Sequence, residues 1–181
     1  MITLIRHGEA AASWGEHPNP GLSDLGREQA NLVARILSSE PVETLLTSPM
    51  QRCQETSIPL SRKLNLSPIV TPEVSEIPTP QNLTTDRVTW LKDLMAGTWS
   101  QTPTLILDWR TALLDKINTL PDNTVVFTHF VAINAVVSAL EGSDEAVVFR
   151  PTYCSLTRLE RGRNGTLNVK RRGDEAATRV L

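Results

Sequence analysis

The chain has 181 residues, a length typical of one domain with a single sizeable core. Its hydrophobic fraction of 40% and charged fraction of 21% are those of an ordinary globular protein, which excludes a disordered or fibrous chain. The formal net charge of −2 excludes a general basic field that would attract nucleic acid, so any anion site must be built from a few placed arginines.

The same composition bears on the compartment of the protein. Cys53 and Cys154 are too far apart in sequence to indicate a disulfide framework or a zinc cluster. No stretch is apolar enough to span a bilayer, and the start MITLIRHGE lacks the longer apolar region of a signal peptide. We therefore expect a cytoplasmic protein with neither nucleic acid nor membrane as a partner. Nothing in the sequence predicts its oligomeric state.

The first elements in chain order are a strand, a loop and a helix. Residues 1–5 are a short, mostly apolar run that predicts a buried strand, and the letters RHGE follow it directly. Prolines and glycines in residues 10–21 predict a loop. Ser23 is typical of a helix N-cap, and apolar residues recur after it at helical spacing as far as Leu37.

A second strand at residues 43–47 leads into a second helix. The letters SPMQ predict that Ser48 caps this helix, that the proline lies in its first turn and that the glutamine closes a capping box. Arg52 would then lie about one turn into the helix. Pro59 is expected to kink or break it. Residues 67–70 favour a short third strand.

Prolines punctuate residues 72–104, so we expect few long regular elements there apart from a helix at residues 87–95. This segment is a candidate lid. Residues 105–120 then predict a further helix.

The last third of the chain returns to strands. Residues 124–128 (TVVFT) predict a strand that ends at His129, and residues 131–140 are apolar nearly all round, which is typical of a buried helix. Residues 152–159 and 166–171 flank the dipeptide NG, a hairpin signal.

Strands that alternate with helices predict an α/β fold. We expect a single-domain three-layer sandwich over residues 1–181, with a mostly parallel central sheet and helices on both faces. In such sheets ligands bind beyond the carboxyl ends of the strands. Because His7, Arg52 and His129 each follow a predicted strand, we expect them to meet in one crevice.

If these segments meet, they can bind and transfer a phosphoryl group. The guanidinium groups of Arg6 and Arg52 match phosphate oxygens in bidentate fashion, and helix N-termini add N–H donors. A histidine that faces the phosphorus, His7, can act as a nucleophile when neutral, and nearby cations favour its neutral form. The arginines and a protonated His129 would stabilise charge on the transferring group.

Two further residues complete this chemistry. The leaving alkoxide needs a proton, which a carboxylic acid such as Glu76 could supply. Gly8 has no Cβ and lets the backbone come close to a ligand.

Six segments together resemble the histidine phosphatase superfamily, which includes the cofactor-dependent phosphoglycerate mutases. LIRHGE is similar to the R-H-G signature, GLSDLGREQA to the L-[ST]-x-x-G-x-x-Q-A segment, and SPMQRCQET to S-x-x-x-R-x-x-[QE]-T. VSEI resembles the L-x-E segment that carries the acid, VVFTHF the strand that ends in the second histidine, and FRPTYCSLTRLE the closing strand. The resemblance runs in order from residue 2 to about residue 160.

The resemblance implies a phosphatase that hydrolyses a small phosphorylated substrate through a phosphohistidine intermediate. No zinc-type ligand spacing is visible and arginines can stabilise the transferring charge, so we expect neither a metal nor a cofactor. It implies that His7 is the residue phosphorylated. The implied catalytic residues are His7, Glu76 and His129, and the implied phosphate-binding residues are Arg6, Arg52, Gly8 and Ser23.

Two positions depart from the family's pattern. The family usually has glycine after the second histidine, where this chain has Phe130, and a bulky side chain there is expected to narrow the pocket or change substrate choice. The letters EIPTP at Glu76 lack the usual glycine-containing continuation, and Glu73 lies nearby as an alternative acid. His17, in a proline-rich loop, is expected to be solvated.

Three alternative functions remain open. A metal-dependent hydrolase would use His7, Glu9 and His129 as ligands, but the chain supplies no further histidine in a motif position. A phosphate-binding module without catalysis is the second. A phosphoglycerate mutase is the third, and it would need a closed pocket that protects the phosphohistidine from water. Residues 72–104 form a short lid for that task, so a phosphatase is favoured.

Overall fold

The computed structural model describes residues 1–12 and 17–175. Part of the predicted loop, at residues 13–16, lies outside the described residues. So does the end of the predicted domain, at residues 176–181.

Within the described residues, six strands form one sheet in the order β3-β2-β4-β1-β5-β6. The strands are β1 (Ile2–Arg6), β2 (Thr44–Thr47), β3 (Ile69–Val70), β4 (Thr124–Thr128), β5 (Leu156–Arg161) and β6 (Leu167–Arg171). The neighbours from β3 to β1 pair in parallel, whereas β5 is antiparallel to both β1 and β6. The mostly parallel sheet is therefore confirmed. Arg6 of β1 pairs with Thr128 of β4, so the residues that follow these strands leave the sheet side by side.

Helices cover both faces of this sheet. They are α1 (Asp24–Leu37), α2 (Gln51–Leu64), α3 (Arg87–Ala96), α4 (Thr104–Thr119) and α5 (Phe130–Leu140), with short 3₁₀ turns at Pro72–Val74 and Trp99–Gln101. Alternate strand residues point to opposite faces because the side-chain period of a strand is two. On β4, for example, Phe127 belongs to the core beneath α1 and α2, and Val126 to the core beneath α3, α4 and α5. The three-layer α/β sandwich is thus confirmed.

The predicted N-cap of α2 is wrong, and so is the predicted break at Pro59. The helix begins at Gln51, and Met50 is its N-cap without a side-chain hydrogen bond. The hydroxyl of Ser48 instead accepts from the Met50 amide at 3.2 Å and lies 2.8 Å from His129 Nε2, so it is not available as a helix cap. Pro59 does not break the helix, which continues to Leu64. The buried side of α2 packs against the sheet and α1, and this packing outweighs the tendency of proline to interrupt a helix.

The other sequence predictions hold with small changes of boundary. Ser23 caps α1, since its Oγ accepts from the Gly26 amide at 3.0 Å. The helix predicted at residues 87–95 is α3, and α5 is buried nearly all round. The final hairpin turns near Gly165, at φ +84°, but its first strand starts only at Leu156 because residues 151–155 form a loop beside Arg6.

Candidate active site

The three segments that follow β1, β2 and β4 meet at the carboxyl ends of these strands. Arg52, in the first turn of α2, donates from Nε to His7 Nε2 at 3.1 Å. Its Nη2 lies 3.2 Å from Nδ1 of His129. The two imidazole rings are 5.3 Å apart, and all three side chains belong to buried residues. The predicted convergence is confirmed, and one guanidinium links the two histidines.

The hydrogen bonds of His7 define its protonation. Nδ1 lies 2.7 Å from the Gly8 carbonyl oxygen, which can only accept, so Nδ1 carries the proton. Nε2 accepts from Arg52 and therefore presents a lone pair. Burial, and then the charges of Arg52 and Arg6, lower the pKa of His7 well below its ordinary value. His7 is thus a neutral imidazole at neutral pH, with Nε2 directed at a cation.

His129 is held from several sides where β4 passes into α5. Its Nδ1 contacts Arg52, its Nε2 lies 2.8 Å from Ser48 Oγ, and Cys53 Sγ lies 3.4 Å from Nε2. Burial, and then the nearby charge of Arg52, lower the pKa of His129 well below its ordinary value. The expectation of a protonated His129 is corrected here, because its charged neighbours favour the neutral ring.

Glu76 is the carboxylate that faces the histidines. Its Oε2 lies 4.0 Å from His129 Nδ1, its Oε1 accepts from the Ile77 amide at 3.0 Å, and its side chain is 7% exposed. Burial raises the pKa of Glu76 above its ordinary value, against the opposing effects of the Ile77 amide and Arg52. Glu73, the alternative acid, lies exposed in the 3₁₀ turn. The geometry therefore favours Glu76 as the acid.

Arg6, the last residue of β1, lies beside these groups and is 2% exposed. Its Nη1 donates to the Pro151 carbonyl at 2.9 Å, and its Cζ lies 4.0 Å from the centre of the Tyr153 ring. Tyr153 was not singled out by the sequence patterns, which assigned it to a strand. It is a candidate site residue because its ring centre is 6.0 Å from that of His7.

Gly8 and Ser23 support the loop that carries His7. The Gly8 amide donates to Thr56 Oγ1 at 3.0 Å, and a Cβ at Gly8 would lie 2.7 Å from the Gly26 carbonyl oxygen. The missing side chain is therefore required for packing against α1. Ser23 Oγ donates to Glu9 Oε1 at 2.8 Å. In the structure Gly8 and Ser23 form hydrogen bonds with Thr56 and Glu9, and these contacts hold the loop rather than join the arginine cluster.

Phe130 does not narrow the pocket. It is 2% exposed and packs in the core beneath α5, with Arg6 Cζ 5.3 Å from its ring centre. A pocket of about 180 Å³ is bordered by Arg52, Glu76 and Arg87, two of which contact or face the buried histidines. The remaining lining residues are His17, Pro18, Met50, Ser75, Ile77, Pro78 and Thr79. Exposed His17 thus lies at this pocket, whereas Phe130 is not among its lining residues.

Over residues 1–12 and 17–175, no three His, Cys, Asp or Glu side chains are grouped so that they could hold a metal ion. Among the same residues, no helix is long and apolar enough to cross a membrane.

Comparison with known proteins relates the chain to a family. A model of the histidine phosphatase superfamily (branch 1) matches residues 2–104. Uncharacterized protein Rv0525 of Mycobacterium tuberculosis is 32% identical over 80 residues, which span 42% of this chain and only 40% of that protein. Probable phosphoglycerate mutase GpmB of Photorhabdus laumondii is 25% identical over 183 residues, covering 88% of this chain and 84% of that protein.

A solved structure has the same fold over nearly the whole chain. The alpha-ribazole phosphatase from Shigella flexneri superposes with a TM-score of 0.75 and 18% identity, covering 93% of this chain and 94% of that one. The family model matches more than half of the chain and includes His7, Arg52 and Glu76. The chain belongs to the histidine phosphatase superfamily (branch 1).

Proposed function

We propose that this protein is a phosphatase that hydrolyses a phosphate monoester through a phosphohistidine intermediate on His7. The observation that carries the proposal is the lone pair of His7 Nε2, which faces the Arg52 guanidinium at 3.1 Å. A neutral nucleophile beside a cation is the arrangement that phosphoryl transfer requires. The fold shared with the Shigella phosphatase is consistent with this chemistry.

In the first step the substrate phosphoryl group binds between the histidines and the arginines. Its oxygens take over hydrogen bonds from Arg52, so Nε2 of His7 is released and attacks the phosphorus. The P–O ester bond breaks, and Glu76 gives its proton to the leaving alkoxide. The raised pKa of Glu76 keeps a larger fraction of this carboxyl protonated than an exposed glutamate would have. Arg6, Arg52 and His129 stabilise the transferring group.

In the second step water attacks phospho-His7. The Glu76 carboxylate takes a proton from this water, the P–N bond breaks, and inorganic phosphate leaves. His7 returns to its neutral form with the proton on Nδ1, and Glu76 is again protonated. His129 contributes donors through its ring, which becomes protonated more readily when a dianionic phosphoryl group lies beside it.

The segment 72–104 supplies the wall of the pocket that meets the rest of the substrate. It carries Glu76 and Arg87 to the same space as Arg52. A pocket of about 180 Å³ suits a small phosphorylated metabolite. We propose that the enzyme acts in the cytoplasm, where the thiol of Cys53 beside His129 stays reduced. In this proposal Gly8 and Ser23 hold the His7 loop in place.

The proposal is tested by turnover of an aryl phosphate and a panel of small phosphate monoesters. The wild-type protein should release phosphate, retain activity after exhaustive chelation and be inhibited by vanadate. His7→Ala, checked for folding by circular dichroism, should be inactive. Acid-quenched wild-type enzyme should carry phosphate on His7. Near-normal turnover by folded His7→Ala would overturn the proposal, and activity that chelation removes and one metal restores would favour a metal-dependent hydrolase.

A second candidate is phosphoglycerate mutase activity. It is favoured by the relative GpmB, which aligns with 88% of this chain. Both activities share phospho-His7, and they differ in whether water or a second acceptor receives the phosphoryl group.

A further inference from the structure

The guanidinium of Arg6 lies against two aromatic rings. Its Cζ is 4.0 Å from the centre of the Tyr153 ring and 5.3 Å from that of Phe130. Arg6 is 2% exposed, so its guanidinium meets protein groups rather than bulk water. The positive guanidinium of an arginine is attracted to the electron-rich face of an aromatic ring. This contact limits the orientations that the guanidinium plane can adopt. The rings therefore restrict how Arg6 can present its N–H groups.

The loop of residues 151–155 is hydrogen-bonded both to the side chain and to the backbone of Arg6. The side chain donates from Nη1 to the Pro151 carbonyl at 2.9 Å, and the backbone carbonyl of Arg6 accepts from the Cys154 amide at 2.9 Å. Tyr153 lies between these two anchoring residues in sequence. The loop and Arg6 thus form one unit, whose geometry is set by direct hydrogen bonds.

The backbone at Cys154 shows that this loop is under constraint. Its φ is +57°, in the left-handed region that residues with a side chain rarely adopt. Such conformations persist where the surroundings hold them, and they cluster at functional sites. Cys154 directly follows Tyr153, whose ring contacts Arg6. The left-handed residue and the ring contact therefore belong to the same turn.

Tyr153 also borders the nucleophile. Its ring centre is 6.0 Å from that of His7, and the rings are tilted by 44°. We propose that Tyr153 is a positioning residue of the phosphate site, which acts by holding the Arg6 guanidinium in the orientation that binds phosphate. This inference rests on the proposed function only in taking Arg6 as a ligand of the phosphoryl group.

The proposal predicts a particular pattern in kinetics and binding. Because Arg6 is proposed to bind the phosphoryl group both in the substrate and in the transition state, the loss of Tyr153 should raise KM and lower kcat/KM. It should also weaken binding of inorganic phosphate. Because Tyr153 acts through Arg6, its removal should have no further effect once Arg6 is gone.

The experiment measures the Kd of inorganic phosphate by isothermal titration calorimetry, which needs no turnover. Tyr153→Ala should weaken binding about three- to thirtyfold, the range expected for loss of a cation–π contact. Tyr153→Phe keeps the ring and removes only the hydroxyl that hydrogen-bonds to Arg6, so its Kd should lie between those of the wild type and Tyr153→Ala. Arg6→Ala and Arg6→Ala/Tyr153→Ala should bind phosphate equally weakly. As a matched control, Arg172→Ala removes another stacked guanidinium, 5.5 Å from the Phe149 ring, and should leave the Kd unchanged.

Two results would overturn the inference: a wild-type Kd in Tyr153→Ala, or the full Tyr153 effect repeated in the Arg6→Ala background. If Tyr153→Ala does not fold, Tyr153→Leu keeps bulk and removes the aromatic face, with the same expectations. The two proposals fail separately. A protein that binds phosphate with the Tyr153 pattern but turns over no ester refutes only the phosphatase, whereas normal turnover without the pattern refutes only the role of Tyr153.

Discussion

The hydroxyl of Thr56 accepts the amide hydrogen of Gly8 at 3.0 Å. The same oxygen donates to the Arg52 carbonyl at 2.6 Å. Thr56 is fully buried on α2, one turn after Arg52. A single side chain therefore fixes the loop that carries His7 to the helix that carries Arg52.

This relationship predicts the effect of Thr56→Val. The change leaves the buried Gly8 amide without its acceptor at nearly constant side-chain shape, so the free energy of unfolding should fall by about 1–3 kcal/mol. The kcat/KM should fall as well, because His7 and Arg52 are no longer tied together. Urea unfolding and steady-state kinetics measure the two effects. Thr56→Ser keeps the hydroxyl and serves as the control; equal losses in both variants would refute the role of the hydrogen bond.

Arg52 and His129 should behave as one unit. Arg52 contacts both histidines, so Arg52→Ala and His129→Ala should each lower kcat/KM by about 100-fold or more. The double variant should lose much less than the product of the two factors, since groups that act together are non-additive. A double-mutant cycle with an aryl phosphate measures this. Small, strictly additive effects would mean that the two residues do not serve the same phosphoryl group.

Glu76 should matter most for esters with basic leaving groups. Glu76→Gln should lower turnover of alkyl phosphates by about 100- to 10,000-fold and that of aryl phosphates much less, because a phenolate leaves with little help. Glu73→Gln, at an exposed position nearby, is the control and should be close to wild type. An equal loss on both ester classes would remove Glu76 from the role of acid.

The pH dependence of the same reaction follows from two pKa shifts. The proposed mechanism needs a neutral His7, and burial lowers its pKa, so activity should persist below the ordinary histidine range and fall only at more acidic pH. Protonated Glu76 is required, and burial raises its pKa, so alkyl-ester turnover should fall as pH rises through that raised value. Profiles of kcat/KM should show the alkaline fall for alkyl esters and lose it in Glu76→Gln. Persistence of that fall in the variant would assign it to another group.

Stability should also depend on the buried histidines. The pKa of His7 and that of His129 are both lowered in the folded protein, so below about pH 6.5 the unfolded chain binds more protons than the folded one. The free energy of unfolding should therefore fall with decreasing pH, by up to about 1.4 kcal/mol per pH unit for each histidine. Urea unfolding at pH 7 and pH 5 measures this. His129→Asn should reduce the dependence, and an unchanged slope would contradict it.

The sequence allowed the architecture to be predicted because periodicity and motif order are local signals. The strands before His7 and His129 were recognised from apolar runs that end in polar residues, and their parallel pairing then placed both histidines at one edge. Tyr153 could not be found in this way. Its proposed role depends on a left-handed residue next to it and on contacts with Arg6, which lies near the other end of the chain, and neither leaves a periodic pattern.

The errors on α2 have a similar cause. Ser48 has the local pattern of a helix cap, but its hydroxyl lies against a histidine 81 residues further along the chain. Competition between a local and a distant partner is decided by the folded environment, which short patterns do not contain. Pro59 likewise tolerates a helical position because the surrounding helix packs well.

Phosphatase and mutase activities are separated by a partition measurement. With a monophosphoglycerate as substrate, free phosphate should accumulate while exchange between isomers stays small, because we expect a wall as short as residues 72–104 to let water reach phospho-His7. Phosphate release and isomer exchange are followed in the same reaction. Rapid exchange with little phosphate release would make the protein a mutase.

The rate at which the Cys53 thiol is labelled would measure how often the candidate active site opens. The thiol is fully buried 3.4 Å from His129 Nε2, and burial raises its pKa, so a thiol reagent can reach and modify it only after α2 has moved away from β4. In Cys154→Ala protein, the rate of Cys53 labelling would report how often that local opening occurs under native conditions. A ligand that bridges Arg52 and the histidines should slow the labelling. The labelling rate of a thiol that takes no part in the proposed bond-making step would then report how strongly a ligand holds α2 against β4.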